Sequence, residues 1–402
     1  MNPASGTCPT DPPDPFAPAR LGPVALRNRI IKAATFEGMT PDHVVTERLV
    51  DFHRAVARGG VGMTTLAYCA VSVDGCGTPN EIILGGEALS GLRRLADAVH
   101  EAGAAASAQI GHAGAVATPT GQRGLSPSPI FTGRSLRRTR AANEADIARI
   151  IEDFARAARI VAESGFDAVE VHLGHGYPPS EFLSPRLNRR TDRWGGSLEN
   201  RARFAREIVR AVRAAAGPRL AVLAKLNMAD GVPGGLWLDE SVAAARLLEA
   251  DGALDAIELT GGSSLENPMY LLRGEAPIAE MAALAPTPAR LALRWFGRRL
   301  FREYPFEEAY FLPYAREFRA ALDLPLILLG GINRLDTIRR AMAEGFEFVA
   351  MGRALLREPD LVNRLQSGAS REALCVHCNK CVPTIYRGTH CVLAAPAPGA
   401  VR

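Results

Sequence analysis

The amino-acid sequence predicts an α/β chain folded as a closed (β/α)8 TIM barrel. Eight short β-type runs alternate with helix-period stretches from about residue 24 to 365, the pattern of a parallel sheet wrapped in helices. No G-x-G-x-x-G turn follows the first run, which disfavours the competing doubly wound sheet. Residues able to do chemistry stand at the ends of several runs, and a barrel collects its chemistry at the C-terminal ends of its strands.

The runs are ALRNRIIKAA (25–34), GVGMTTLAY (60–68), AAASAQIG (104–111), FDAVEVH (166–172), LAVLAKLN (220–227), LDAIELT (254–260), PLILLGG (325–331) and FEFVAMGR (346–353). Between the third and fourth, residues 145–165 place Ile147, Ile150, Ile151, Phe154, Ala158 and Val161 at helical spacing. Asn143 precedes them as a cap and Gly165 follows as a stop. RARFAREIVRAVRAAAG (201–217) repeats the pattern. These signals divide the chain into a loose proline-rich arm (1–23), the barrel (24–366) and a cysteine-rich tail (367–402). A long insertion (261–312) interrupts the barrel after the sixth run, where lids and substrate walls form. Within it, ARLALRWFGRRLFR (289–302) carries Arg290, Arg294, Arg298, Arg299 and Arg302. This stretch reads as a solvated helix face packed on the barrel; the sharper alternative is contact with a partner, an anionic substrate or a membrane surface.

Composition narrows the function. The 402 residues are 47% hydrophobic and 22% charged, with a net charge of +4. Arginines scattered along helical stretches give no nucleic-acid footprint. There is no run of 18 apolar residues, so no membrane span is expected, and the N-terminus lacks the layout of a secretory signal. Of seven cysteines, four fall in CVHCNKCVPTIYRGTHC (375–391). That clustering points to metal binding in a reducing compartment, and hence to a cytoplasmic protein.

Three constellations carry chemistry. Gly330 and Gly331 end the seventh run, and Gly352 and Arg353 the eighth, which is where barrels hold phosphate. Gln109 ends the third run and Lys225 lies in the fifth; they read as contacts to a flat heterocycle or, alternatively, as a strand-end cap and a buried ion pair. His172, His175 and Tyr177 crowd the end of the fourth run. HLGH lacks the spacing of a zinc enzyme's H-E-x-x-H, so a device for gripping one oxygen atom is favoured over metal. His112, in QIGHAG, reads as structural.

The block HLGHGYPPSEFLSPRLNRRTDRWGGSLENRARF (172–204) resembles the signature segment of the Old Yellow Enzyme family of FMN-dependent NAD(P)H:flavin oxidoreductases. RNRIIKAA (27–34), AQIGHAG (108–114), LLGGI (328–332) and MGRALLREPDLV (351–362) fall in matching order, so the resemblance covers about residues 16–366. It implies that NADH or NADPH reduces FMN, which then passes hydride to the β-carbon of an enone or enal. By the same resemblance, His172 and His175 grip the substrate carbonyl and Tyr177 donates the proton. Gln109 contacts the flavin, Lys225 stands where relatives carry a basic residue near N1, and Ala33, Ala34 and Thr35 lie along the flavin edge. Gly331, Gly352 and Arg353 match the FMN phosphate site. The sequence departs from the family at Pro178-Pro179, where bulky apolar residues are common, at Phe36, where several relatives have cysteine or threonine, and at Tyr68.

Cys375, Cys378, Cys381 and Cys391 form C-x2-C-x2-C-x9-C. Relatives of the dienoyl-CoA reductase type carry a similar set around a 4Fe–4S cluster, so a cluster is favoured over structural zinc or an empty site. In those relatives a second flavin and nucleotide domain follows, which this sequence is expected to lack. Two other readings remain at this point: a phosphate-binding barrel with Lys225 as a Schiff-base lysine, and a non-catalytic flavin or iron–sulfur redox partner. A homo-oligomer is compatible with each.

Overall fold

The computed structural model describes residues 11–117, 123–132, 137–285 and 287–394. Eight parallel strands close into a barrel. They are β1 (Ile30–Lys32), β2 (Met63–Ala70), β3 (Ala105–Gly111), β4 (Ala168–Leu173), β5 (Ala221–Asn227), β6 (Ala256–Thr260), β7 (Leu326–Leu328) and β8 (Phe348–Met351). Each pairs with the next in chain order, and β8 pairs with β1 to complete the ring. The eight expected runs each contain one barrel strand, although the first is shared. Its opening residues, Ala25 and Leu26, belong to a separate strand, Val24–Leu26, that pairs antiparallel with Ala19–Leu21.

That hairpin corrects the expected boundary of the N-terminal arm. Residues 19–23 are not loose: Leu21 is fully buried and packs with Val24 and Leu26 against Ile31, Met63, Ala168, Ala221 and Phe348. The apolar plug closes the N-terminal end of the barrel. Residues 1–10 of the arm lie outside the described part.

The ring of helices comprises α1 (Glu47–Arg58), α2 (Leu89–Glu101), α3 (Glu144–Glu163), α4 (Leu198–Ala216), α5 (Leu238–Ala250), α6 (Leu312–Ala321), α7 (Leu335–Ala343) and α8 (Leu361–Gln366). In α3, Asn143 and Asp146 form a reciprocal capping box, and the apolar stripe from Ile147 to Val161 packs against the sheet. Two further helices in the insertion, Ile278–Leu284 and Thr287–Leu300, pack on each other. The second does not lie flat on the barrel: Leu291, Trp295 and Phe296 are exposed. No helix among the described residues is long and apolar enough to cross a membrane.

The tail folds back over the C-terminal mouth of the barrel. Its short 3-10 segment Val382–Tyr386 is tied down by Asn80 Nδ2 donating to Tyr386 O (3.1 Å), Arg48 Nη1 to Arg387 O (3.1 Å) and Thr389 N to Glu37 O (2.7 Å).

Candidate active site

A cavity of about 320 Å3 opens at the C-terminal ends of the strands. Its wall includes Ala34, Thr35, Gln109, His172, His175, Tyr177, Lys225 and Arg353, so one pocket gathers expected residues from β1, β3, β4, β5 and β8. Phe36 and Tyr68 also line it. The tail supplies the roof through Cys381, Val382, Ile385, Tyr386 and Thr389, an element the sequence reading assigned only to metal.

Four expected members, Ala33, Gly330, Gly331 and Gly352, do not line the pocket. Ala33 shares the inward face of β1 with Ile31, as the two-residue strand period requires, and is buried in the apolar plug. Gly330 and Gly331 have positive φ (109° and 70°) and sit under aromatic rings of the insertion. A Cβ on Gly330 would meet Phe311 at 2.6 Å, and one on Gly331 would meet Tyr310 at 2.7 Å and Phe306 at 2.8 Å. These glycines allow ring-on-backbone packing and do not line the pocket. At the end of β8, Gly352 lies against Thr35. Arg353 reaches the pocket while bonding Arg273 O (3.0 Å) and Asn379 of the tail.

The end of β4 is built by a short helix. Tyr177 has extended backbone angles and caps Pro178–Leu183, whose first two residues are the prolines. Proline is suited to a helical start, where its missing N–H has no intrahelical partner. Thus Pro178-Pro179 fix the exit of the loop that carries Tyr177. The Tyr177 ring stacks on Tyr68 at 5.7 Å, with an interplanar angle of 25°. His175 has φ 61°, and its backbone N–H donates to Asn227 Oδ1 (3.1 Å). Its Nε2 bonds the Thr260 hydroxyl (2.9 Å), while its Nδ1 faces His172 Nε2 at 3.2 Å.

Both imidazoles are neutral at pH 7. Burial, then His175 and Lys225, holds His172 well below its ordinary value; burial and Lys225 bring His175 down to about 3. A neutral imidazole has one N–H and one acceptor nitrogen. Of the two nitrogens facing each other, one therefore donates and the other accepts. Here the histidines bond one another instead of presenting two free donors to one point, which modifies the expected oxygen grip. His172 Nδ1 is buried without a hydrogen-bond partner among the described residues. His112 is structural: its Nδ1 accepts from Gly114 N (3.0 Å).

Beneath the pocket lies a charged floor. Lys225 Nζ is 3.0 Å from Glu170 and 2.5 Å from Glu258. Gln109 Nε2 donates to the same Glu170 oxygen at 2.6 Å. All four side chains are buried. Burial lowers the lysine pKa, but the two carboxylates outweigh it, and the ammonium ends above its ordinary value. Burial pushes Glu258 up to about 7 against the pull of Lys225. Lys225 therefore occupies both positions weighed from the sequence: it is ion-paired and it lines the pocket. A second buried pair, Lys32–Glu37 at 2.6 Å, supports the β1 end of the site. The sequence reading missed Glu170, Glu258 and this pair. The available signal was alternation: Glu170 and His172 are two apart and share a face.

Cys375, Cys378, Cys381 and Cys391 line one small cavity of about 20 Å3 with Arg353 and Arg357. Arg357 Nη1 approaches Cys391 Sγ at 3.8 Å. Among the described residues, no three histidine, cysteine or acidic groups stand close enough to hold a single metal ion. Cys381 and Arg353 also line the larger pocket, so the two cavities share a wall.

The pattern of the NADH:flavin oxidoreductase / NADH oxidase family matches residues 14–259. A 4,4'-dithiodibutanoate disulfide reductase of Rhodococcus erythropolis is 55% identical over 389 residues, covering 96% of both chains. A multifunctional alkene reductase/demethylase of Caballeronia cordobensis is 30% identical across 90% of this chain but only 50% of its own. Among solved structures, morphinone reductase in complex with tetrahydroNAD superposes with a TM-score of 0.66 and 25% identity, covering 90% of this chain and 93% of that one.

Proposed function

The chain belongs to the NADH:flavin oxidoreductase / NADH oxidase family, of the Old Yellow Enzyme type, and on that premise we propose that it is an FMN-dependent reductase of small organic disulfides bearing carboxylates. The observation that carries the acceptor class is the 55% identity, across 96% of both chains, with a 4,4'-dithiodibutanoate reductase. The stoichiometry is NAD(P)H + H+ + RSSR giving NAD(P)+ and 2 RSH. When bound, FMN supplies the two-electron hydride chemistry that no protein side chain provides.

The pocket residues fit that cofactor. Gln109 offers an amide that both donates and accepts to a heterocycle edge, Lys225 offers a fixed positive charge, and Ala34 and Thr35 leave room for a flat ring. Arg353, next to Gly352 at the start of a helix, offers a charged fork for phosphate. Ala33, Gly330 and Gly331 have no part in this assignment. The neutral His172–His175 pair and the Tyr177 hydroxyl face the acceptor. They stabilise the thiolate leaving the broken S–S bond and return the proton it needs. The tail roofs the pocket with Val382, Ile385 and Tyr386.

A second acceptor class uses the same groups. An activated alkene is favoured by the placement of His172, His175 and Tyr177 on one wall, and by the Caballeronia relative. His172, whose Nδ1 has no partner among the described residues, then stabilises the developing oxyanion, and Tyr177 protonates the α-carbon. The Schiff-base reading loses support, because a lysine held protonated by two carboxylates is a poor nucleophile. For the cysteine tail we propose a 4Fe–4S cluster on the strength of its C-x2-C-x2-C-x9-C spacing; the four thiols share a cavity with Arg353 and Arg357 but, as described, would have to draw together to hold it.

The test is NAD(P)H oxidation by the purified yellow protein with 4,4'-dithiodibutanoate and, separately, a cyclohexenone. Two thiols released per NAD(P)H is the expected result. Turnover of the enone alone would transfer the assignment to the alkene class, and a colourless protein without FMN would refute both. Metal and acid-labile sulfide analysis on anaerobically purified protein tests the cluster.

A further inference from the structure

Two side chains that touch the proposed flavin site, Gln109 and Lys225, are governed by two carboxylates that do not line it. Gln109, Glu170, Lys225 and Glu258 come from four consecutive strands, β3 to β6. Glu170 is in register with Gln109, and Lys225 with Glu258. Their side chains form one continuous chain of contacts: 2.6 Å from Gln109 to Glu170, 3.0 Å from Glu170 to Lys225 and 2.5 Å from Lys225 to Glu258. Glu170 and Glu258 are each only 1% exposed.

This arrangement has two physical consequences. An ionised carboxylate only accepts hydrogen bonds, so the Gln109 amide nitrogen must face Glu170. One amide N–H and the carbonyl oxygen remain for the pocket, which fixes the amide's orientation. The second consequence concerns charge. One ammonium stands between two carboxylates, so the floor holds less positive charge than Lys225 alone would give. Ionisation of Glu258, which burial moves up to about 7, takes one further unit of charge from the floor. In a buried site such charges are weakly screened. A ring that gains electrons above this floor is held less favourably than above an unpaired lysine.

We propose that Glu170 and Glu258 are positioning residues that set the reduction potential of the bound flavin, through the charge of Lys225 and the orientation of Gln109. The proposal rests on the FMN reading above. The carboxylates hold the potential low, which favours passing electrons to a disulfide over accepting them from NAD(P)H.

The experiment compares FMN-loaded wild type with Glu170→Gln and Glu258→Gln by anaerobic dye equilibration and stopped-flow kinetics. Glutamine keeps the shape and removes the charge. Each variant is expected to have a more positive midpoint potential than wild type. Flavin reduction by NAD(P)H is expected to become faster and reoxidation by the acceptor slower. Damage that is only structural would slow both. Glu258→Asp keeps the charge and is expected to retain the wild-type potential even if it melts earlier. FMN-loaded glutamine variants with an unchanged potential would overturn this proposal alone. Wild-type protein that holds no FMN would overturn the functional reading on which it rests. Because the two carboxylates act from different strands, either glutamine variant suffices if the other fails to fold.

Discussion

Replacing Lys225 with methionine tests the charged floor without reference to any cofactor. The substitution preserves most of the side-chain volume but leaves Glu170 and Glu258, both buried, without the ammonium that stands 3.0 and 2.5 Å from them. Removing one partner of a buried ion pair costs about 3–5 kcal/mol. With an unfolding entropy of about 2.1 cal/mol/K per residue, a chain of this length has ~0.8 kcal/mol/K at its midpoint. The loss should therefore appear as a Tm drop of ~4–6 °C in a calorimetric or circular-dichroism melt. Its pH dependence has a definite sign. Burial already raises the folded pKa of Glu258 to about 7, and losing the lysine raises it further. A carboxyl whose folded value lies above its unfolded value of about 4.3 contributes its stability fully below that value and loses it as pH rises. The penalty should be larger at pH 8 than at pH 5.5, and adding Glu258→Gln should recover part of it at pH 8. A Tm equal to wild type at pH 8, or a penalty independent of pH, would refute the reasoning.

Tyr177→Phe should leave flavin reduction by NAD(P)H intact while slowing alkene turnover by about 10²–10⁴-fold, the usual contribution of a general acid; single-turnover kinetics with undiminished alkene reduction would remove the proton-donor role. Gly114→Ala places a methyl 2.3 Å from Pro178 Cγ at a backbone φ of +55°. It should destabilise by more than about 1 kcal/mol, and a denaturant midpoint equal to wild type would contradict the packing described for the Tyr177 loop. The protein should also lose stability in mild acid. Burial holds the folded pKa of His53 and His172 well below the ordinary value, so their contribution is complete above about pH 6.5. As pH falls below that, each histidine costs about 1.4 kcal/mol per pH unit. His100, raised mainly by its bond to Asp167, acts in the opposite direction. Urea midpoints that stay flat from pH 7 to 5 would contradict the buried neutral state.

Strand periodicity and helix caps made the barrel legible, because both are local. All eight runs hold a barrel strand, and the Asn143 cap falls where the residue pattern places it. The site was legible where a residue's position at a strand end determines where it points, as for Gln109, His172 and Lys225. It was illegible where long-range packing decides. Nothing near Gly330 signals that Phe311 and Tyr310, some twenty residues earlier, will cover it. Nothing near Cys381 signals that the following segment will roof the pocket. The floor is an intermediate case. Alternation puts Glu170 on the face of His172, but only the register of four strands brings Glu170 and Glu258 to the same lysine.

The roof also orders events in time. Its ties join residues 306 and 339 positions apart through Asn80–Tyr386 and Arg48–Arg387. During synthesis, every strand of the barrel leaves the ribosome before residues 381–389 do. The roof of the pocket is therefore made after the strands that form its walls. Once the tail docks, those ties hold it across the mouth. The same segment that shapes the finished cavity is thus the last part of it to be made.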